Sequence, residues 1–344
     1  MRLPILFIAA LTALPGFAQY DLATTRDGST LYFSALGPGK TGFPIYRWTK
    51  DTGVTLFGDR PDLTQASVYG ERLYGTELTD EGTVIFHAEA GCATSGGPNG
   101  NTCPLGQTEI MTPGVPPFSI DNFLFISPNG RYGLFAPFHS GAIWADWLTG
   151  QQVEIDFHNQ GIPDVNPPYV VNQHVIANNG SFVVTAPGGV GVRIWSPNGE
   201  IVVNPGGVAS LSADGSTLAL LVSDRSTGTF PVRLYDAASG QLISSIPCIE
   251  NGPNTFSAFS MSEDGKTIAY SPCNGSQQAI VADSTGANAR QITVVPEGVR
   301  SVLLSGDAHY LYVVTGDLDF PLPSRLQRYD LTIGTVDDIQ TFDH

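Results

Sequence analysis

Residues able to attack, shuttle protons or hold a cation are sparse in this 344-residue chain, which has six histidines and four cysteines. The patterns that mark familiar chemistries are missing. There is no G-x-S-x-G nucleophile elbow, H-E-x-x-H pair, G-x-x-x-x-G-K-[ST] phosphate loop or EF-hand ligand run. The glycine cluster at 187–192 (PGGVGV) joins two strand-like runs instead of opening a helix, so it lacks aligned N–H groups for a phosphate. What remains is a set of polar residues that end or follow short apolar runs: His87 and Glu89, His139, Asp224 and Arg225, Asp317 and Asp319. Gathered at one end of a fold they could hold a ligand or exchange protons. Spread apart they are ordinary loop residues, so the elements that carry them decide.

Those elements repeat. In 257–295, SAFSMSEDGKTIAYSPCNGSQQAIVADSTGANARQITVV, four short β-branched and aromatic runs are separated by turns rich in Asp, Asn and Gly. The same template recurs over residues of approximately 20–58, 68–117, 120–158, 170–204, 207–247, 256–295 and 299–343. A glycine after Asp, Glu or Asn marks the first turn at Gly28, Gly82, Gly130, Gly180, Gly215 and Gly265. In the seventh copy, SGDAHY, the glycine stands at Gly306, and this turn is expected to be degenerate. The third run ends in a bulky residue and then a small polar one at Trp48-Thr49, Trp195-Ser196, Tyr235-Asp236 and Tyr329-Asp330, more loosely at Met111-Thr112, while Ala145-Asp146 and Ala282-Asp283 keep only the polar member. Alternation puts these aromatics on a sheet face, where they are expected to fill the wedge between neighbouring sheets.

One four-stranded sheet cannot bury both its faces, whereas copies arranged radially cover one another. The expectation is an all-β chain: a seven-bladed β-propeller of four-stranded antiparallel blades. Units of about 47 residues suit such blades. The first copy begins with its inner strand and the last ends with its outer strand, so the ring is expected to close without strand exchange. Six or eight blades are the alternatives, because the second copy carries extra sequence at DRPDLTQASVYGE.

The first 18 residues, MRLPILFIAALTALPGFA, have the layout of a secretory signal peptide with cleavage after Ala18. That leaves 19–344 as a single domain, exported to the periplasm or beyond, with no transmembrane segment. Four cysteines allow three pairings. Cys92 and Cys103 bracket a Gly/Asn-rich loop and are expected to close it, which leaves Cys248 with Cys273. The net charge of −16 disfavours nucleic acid and anionic membranes as partners. No cofactor or metal is expected, and the chain is expected to be a monomer.

The repeats SADGSTLALLVS…VRLYDAASGQL and SEDGKTIAYSPC…AIVADSTG resemble the WD-repeat-like units of TolB-type bacterial propellers. That resemblance implies a fold and little about activity, because such propellers bind proteins, peptides or sugars and some carry enzymatic sites. No separate N-terminal domain of the TolB kind is expected, nor room for a hydrolase domain after the seventh copy. The favoured function is a binding or interaction module for a protein, peptide or glycan. Its mouth would be formed by loops 87–107, 139–142, 223–231 and 316–325. The alternatives are a lyase, lactonase or hydrolase acting at the same mouth, or a structural envelope protein.

Overall fold

The computed structural model describes residues 22–34, 45–58, 72–79, 82–89, 107–112, 114–115, 118–120, 123–136, 141–156, 174–185, 191–196, 199–204, 207–222, 229–247, 249, 258–273, 278–316 and 324–342. Within them the chain is all β and forms seven antiparallel sheets, each made of consecutive strands. The first sheet holds β1 (Leu22–Thr24), β2 (Thr30–Ser34), β3 (Ile45–Thr49) and β4 (Gly53–Gly58). The second holds β5 (Arg72–Leu78), β6 (Val84–Glu89), β7 (Gln107–Met111) and β8 (Phe118–Ile120). The third holds β9 (Phe123–Ile126), β10 (Tyr132–Ala136), β11 (Gly141–Asp146) and β12 (Gln151–Asp156).

The fourth sheet holds β13 (Phe182–Thr185), β14 (Val192–Ser196) and β15 (Gly199–Val203). The fifth holds β16 (Val208–Leu211), β17 (Thr217–Leu221), β18 (Val232–Asp236) and β19 (Leu242–Ile246). The sixth holds β20 (Phe259–Met261), β21 (Thr267–Tyr270), β22 (Ile280–Asp283) and β23 (Arg290–Gln291). The seventh holds β24 (Val299–Leu304), β25 (Tyr310–Thr315), β26 (Ser324–Asp330) and β27 (Val336–Phe342).

The fourth sheet corrects the expectation of four strands in every blade. Its innermost segment, 174–177, divides its hydrogen bonds between two sheets and forms only isolated bridges, Ile176 with Phe182 and His174 with Leu211 of β16. The Val183 N–H donates to Val175 (3.0 Å), while the Leu211 N–H donates to His174 (2.9 Å). A segment shared in this way cannot form a continuous ladder with either neighbour.

The turn joining first and second strands is one chemical unit repeated. In the sixth sheet the Ser262 hydroxyl donates to Asp264 (2.7 Å) and accepts from the Thr267 N–H (3.0 Å). The same carboxylate accepts from the Lys266 N–H (3.0 Å), and the Gly265 N–H donates to the Ser262 carbonyl (2.9 Å). Thr25/Asp27, Ser127/Asn129, Ser212/Asp214 and Ser305/Asp307 each make the same hydroxyl-to-side-chain bond at 2.7 Å. The turn thereby satisfies its own backbone, as short polar side chains allow.

The seventh copy is therefore not degenerate. Its Asp307 accepts from the His309 N–H (3.0 Å), and Ala308 takes the glycine's place at φ +58°. Side-chain capping holds an L-residue in the left-handed region that glycine occupies elsewhere.

The core lies between sheets. Ile110 of the second packs with Leu124 of the third. Trp144 of the third, Phe182 of the fourth and Leu211 of the fifth share one cluster. Leu234 of the fifth meets Phe259 and Ile268 of the sixth. Ala269 and Val281 of the sixth meet Val302 and Leu311 of the seventh. Leu22, Leu31 and Trp48 of the first meet Tyr312 and Val314 of the seventh. Each fully buried Leu or Phe among these contributes roughly 1.5–3 kcal/mol.

The aromatics lie in these wedges. Trp195 sits 5.8 Å from Trp144 of the preceding sheet, and Trp48 meets Tyr312 edge to face at 6.4 Å. Sheets packed in chain order, with the first also against the seventh, are consistent with a propeller-type fold.

Candidate functional site

Antiparallel order puts the turns between first and second strands at one end of the sheets and the C-terminal ends of the second strands at the other. In the second sheet Leu78 pairs with Val84 at the turn end, and Arg72 pairs with Glu89 at the opposite end.

At the turn end, backbone groups next to the Ser/Asp turns bond from sheet to sheet. The Asn129 N–H donates to the Asn178 side chain (2.8 Å) and the Asn178 N–H to the Ala213 carbonyl (2.7 Å). Asp214 N–H donates to Glu263 (3.0 Å), Glu263 N–H to Gly306 (2.9 Å) and Asp307 N–H to Arg26 (3.0 Å). These bonds link the third sheet through the seventh and return to the first. These six sheets are thereby tied to one another by donors that would otherwise need water.

Inside this collar lies a cavity of about 80 Å³ whose walls come from all seven sheets, among them Thr24, Thr79, Pro128, His174, Ala213, Met261 and Leu304. It has room for several water-sized groups. Burial pulls the His174 imidazole down to about 4, so it is uncharged at neutral pH.

From the fourth sheet round to the first, one turn position holds Asn178, Ala213, Glu263, Gly306 and Arg26, alternating in size. Glu263 reaches over Gly306 to Arg26, whose Nε lies 2.8 Å from Oε2. A Cβ on Gly306 would stand 3.1 Å from the Arg26 Cα and 3.3 Å from that carboxylate oxygen, so glycine keeps the crossing open. On its other side, over Ala213, the Glu263 carboxylate accepts from Asn178 Nδ2 at 3.5 Å. The Glu263 side chain is only 16% exposed, and that of Arg26 is 66% exposed. A shielded carboxylate thus lines the cavity and is covered by an exposed arginine.

Of the residues singled out from sequence, His87 and Glu89 lie on β6, with His87 opposite Tyr74 and Thr108 and Glu89 opposite Arg72. They occupy the end of the sheet away from the collar. His139, Asp224, Arg225, Asp317 and Asp319 lie outside the described residues, as do Cys92, Cys103 and Cys248. Cys273 is disulfide-bonded. Among the described residues no group of three or more His, Cys, Asp or Glu is placed to hold a metal ion. No helix among them is long and apolar enough to cross a membrane.

Sequence reasoning missed Arg26, Asn178, Glu263 and His174. The first three share one position of the repeat, where Pro128, Ala213 and Gly306 also stand. A position that varies while its neighbours repeat was the available signal.

No protein-family model matches the chain, and no curated protein does. Solved structures match. A prolyl endopeptidase superposes with a TM-score of 0.58 at 11% identity, over 94% of this chain and 50% of its own. A chain of the mitotic checkpoint complex superposes with a TM-score of 0.52 at 10% identity, over 88% of each chain. TolB from Acinetobacter baumannii reaches 0.46 at 12% identity, over 76% of this chain and 62% of its own. This chain therefore spans about half the length of the endopeptidase it matches. At these identities the endopeptidase and checkpoint matches establish likeness of fold alone, and the looser TolB match carries no argument. The chain resembles WD-repeat-like propellers in fold.

Proposed function

We propose that the chain is an exported seven-bladed β-propeller, closed by packing of the first sheet on the seventh. It acts as a binding or interaction module for a protein, peptide or glycan. The observation that carries this reading is the series of seven antiparallel sheets of consecutive strands, with the first packed against the seventh. Radial sheets leave their loops as a ring at each end, and a ring of loops on a rigid scaffold is suited to recognition. The ligand mouth is the end away from the collar, formed by 87–107, 139–142, 223–231 and 316–325. His87, Glu89, His139, Asp224, Arg225, Asp317 and Asp319 supply its polar contacts. Cleavage after Ala18 delivers the chain to the periplasm or medium, where disulfides Cys92–Cys103 and Cys248–Cys273 staple two loops on the mouth side.

The test is binding of the mature protein to peptide and glycan arrays, repeated with His87→Ala plus His139→Ala. Saturable binding to one ligand class, lost in the double variant while its melting temperature is kept, supports the reading. Turnover of a bound ligand would replace it with the enzyme alternative. Binding that the double variant retains moves the ligand away from this mouth.

A further inference from the structure

The collar end carries a site that the binding mouth does not explain. We propose that Glu263 is a receptor for an organic cation, specifically the guanidinium group of an arginine side chain on a partner polypeptide, with Arg26 as its removable lid.

Three observations converge on this residue. The backbone of Glu263 is fixed on both sides, its N–H donating to Gly306 (2.9 Å) and its carbonyl accepting from Asp214 (3.0 Å). The main chain that carries the acid is therefore ordered before a ligand arrives. Its two neighbours in the ring, Ala213 and Gly306, are small, and a Cβ at Gly306 would already crowd the carboxylate. The glycine thus leaves room for the Arg26 side chain to cross to the acid. Next to the carboxylate lies the cavity, partly lined by Met261, Leu303, Leu304 and Ala23, which suits the alkyl stem of a long cationic side chain.

The chain itself shows which cation fits, because the group now on the carboxylate is a guanidinium, that of Arg26. That arginine is mostly exposed, and an ion pair with one exposed arm adds little and exchanges readily. An incoming guanidinium could donate a two-pronged bond to the carboxylate and is less strongly hydrated than an ammonium. The neutral His174 in the cavity wall adds no repulsion. The chain's net charge of −16 draws cations towards the surface. This site lies at the opposite end of the sheets from the mouth, so either can fail without the other.

The experiment is calorimetric titration of butylguanidinium, with butylurea as an uncharged probe of similar shape, into the full mature protein and into Arg26→Ala and Glu263→Gln. Wild type should bind butylguanidinium and not butylurea. Arg26→Ala should bind it about fivefold more tightly, because a competing exposed ion pair has been removed. Glu263→Gln, which keeps the backbone collar, should weaken binding at least tenfold. Equal response to the two probes in wild type overturns the site without relying on any variant folding, and so does undiminished binding by Glu263→Gln. No gain in Arg26→Ala overturns the role of Arg26 as a lid.

Discussion

Tyr312 of the seventh sheet donates its hydroxyl to the carbonyl oxygen of Gly28 in the first, at 2.6 Å and across 284 positions of sequence. The Arg328 Nη1 donates to the same oxygen at 3.2 Å. One turn carbonyl thus receives two buried donors from the opposite end of the chain. Tyr312→Phe removes one donor and leaves Gly28 still satisfied, so the loss should be about 1 kcal/mol by chemical denaturation. A loss near zero would mean that this hydroxyl makes no net contribution to the junction.

The same phenol sets an alkaline limit. Burial pushes Tyr312 up to about 12 from 10.0. A raised folded-state value means that its contribution is complete below pH 10 and is lost as pH rises towards 12. Stability of the wild type should fall over that window, and Tyr312→Phe should remove part of the slope. Equal slopes in the two proteins would assign the alkaline loss to other groups.

Arg328 is the other half of the junction. Its guanidinium lies between the rings of Trp48 (4.6 Å) and Tyr310 (4.4 Å) and bonds Asp337 through Nε (3.1 Å) and Nη2 (2.6 Å). Asp337 is one-third exposed, so the pair is worth less than a fully buried one. Arg328→Ala should cost about 2–3 kcal/mol, since packing, ring contacts and the pair are lost together. Arg328→Lys should recover little of it, because an ammonium cannot form the flat fork. Full recovery by lysine would show that charge alone matters here.

Most of this architecture was legible because the turn chemistry repeats as residue types. Ser or Thr, then Asp or Asn, then Gly, two residues apart and adjacent, fixes the turn and with it the two strands that leave it. The seventh turn was misread because Ala308 is a type that seldom enters the left-handed region. Its capping by Asp307 is a matter of geometry and not of type. Arg328 was illegible for another reason: a charged residue on an alternating strand reads as solvent-facing, and it is buried here between Tyr310 and the first sheet's Trp48. The collar site hid at a turn position whose residue type changes from copy to copy. The segment 174–177 reads as an ordinary strand, because nothing in its composition says that its hydrogen bonds are shared between two sheets.

Ala308 gives a direct test of that reading. At φ +58° an L-residue is strained by roughly 1–2 kcal/mol, part of which glycine gives back through its freer unfolded chain. Ala308→Gly should therefore raise stability by about 0.5–1 kcal/mol. The converse change, Gly265→Ala, should cost more than about 2 kcal/mol, because its φ is +66° and the new Cβ would lie 2.4 Å from Thr217 Oγ1. A loss of stability in Ala308→Gly would contradict the assignment of the seventh turn.

Acid should weaken the fold through the turns after the third strands. Arg131 forks onto Asp146 at 3.1 and 2.7 Å and, with the N–H groups of Leu148 and Thr149, holds its carboxyl at about 2 instead of 3.8. Asp236, Asp283 and Asp330 are lowered too, chiefly by the hydroxyls of Ser239, Thr285 and Thr332. A depressed folded-state value means that the contribution is whole above pH 3.8 and disappears as pH falls to about 2. Asp146→Asn should therefore destabilise at pH 7 and make little difference near pH 2. A penalty unchanged at pH 2 would show that the side chain acts through shape and not charge.

The measurement that tests the closed ring most directly is residue-resolved amide hydrogen exchange at the collar. The amides of Asn178, Asp214, Glu263 and Asp307 each bond to the next sheet, and Asp307 bonds across the junction of last and first. If the ring is closed, all four should exchange only through global unfolding, with Asp307 as slow as the rest. Fast exchange at Asp307, with the other three protected, would mean that the seventh sheet does not hold the first and would contradict the closed ring.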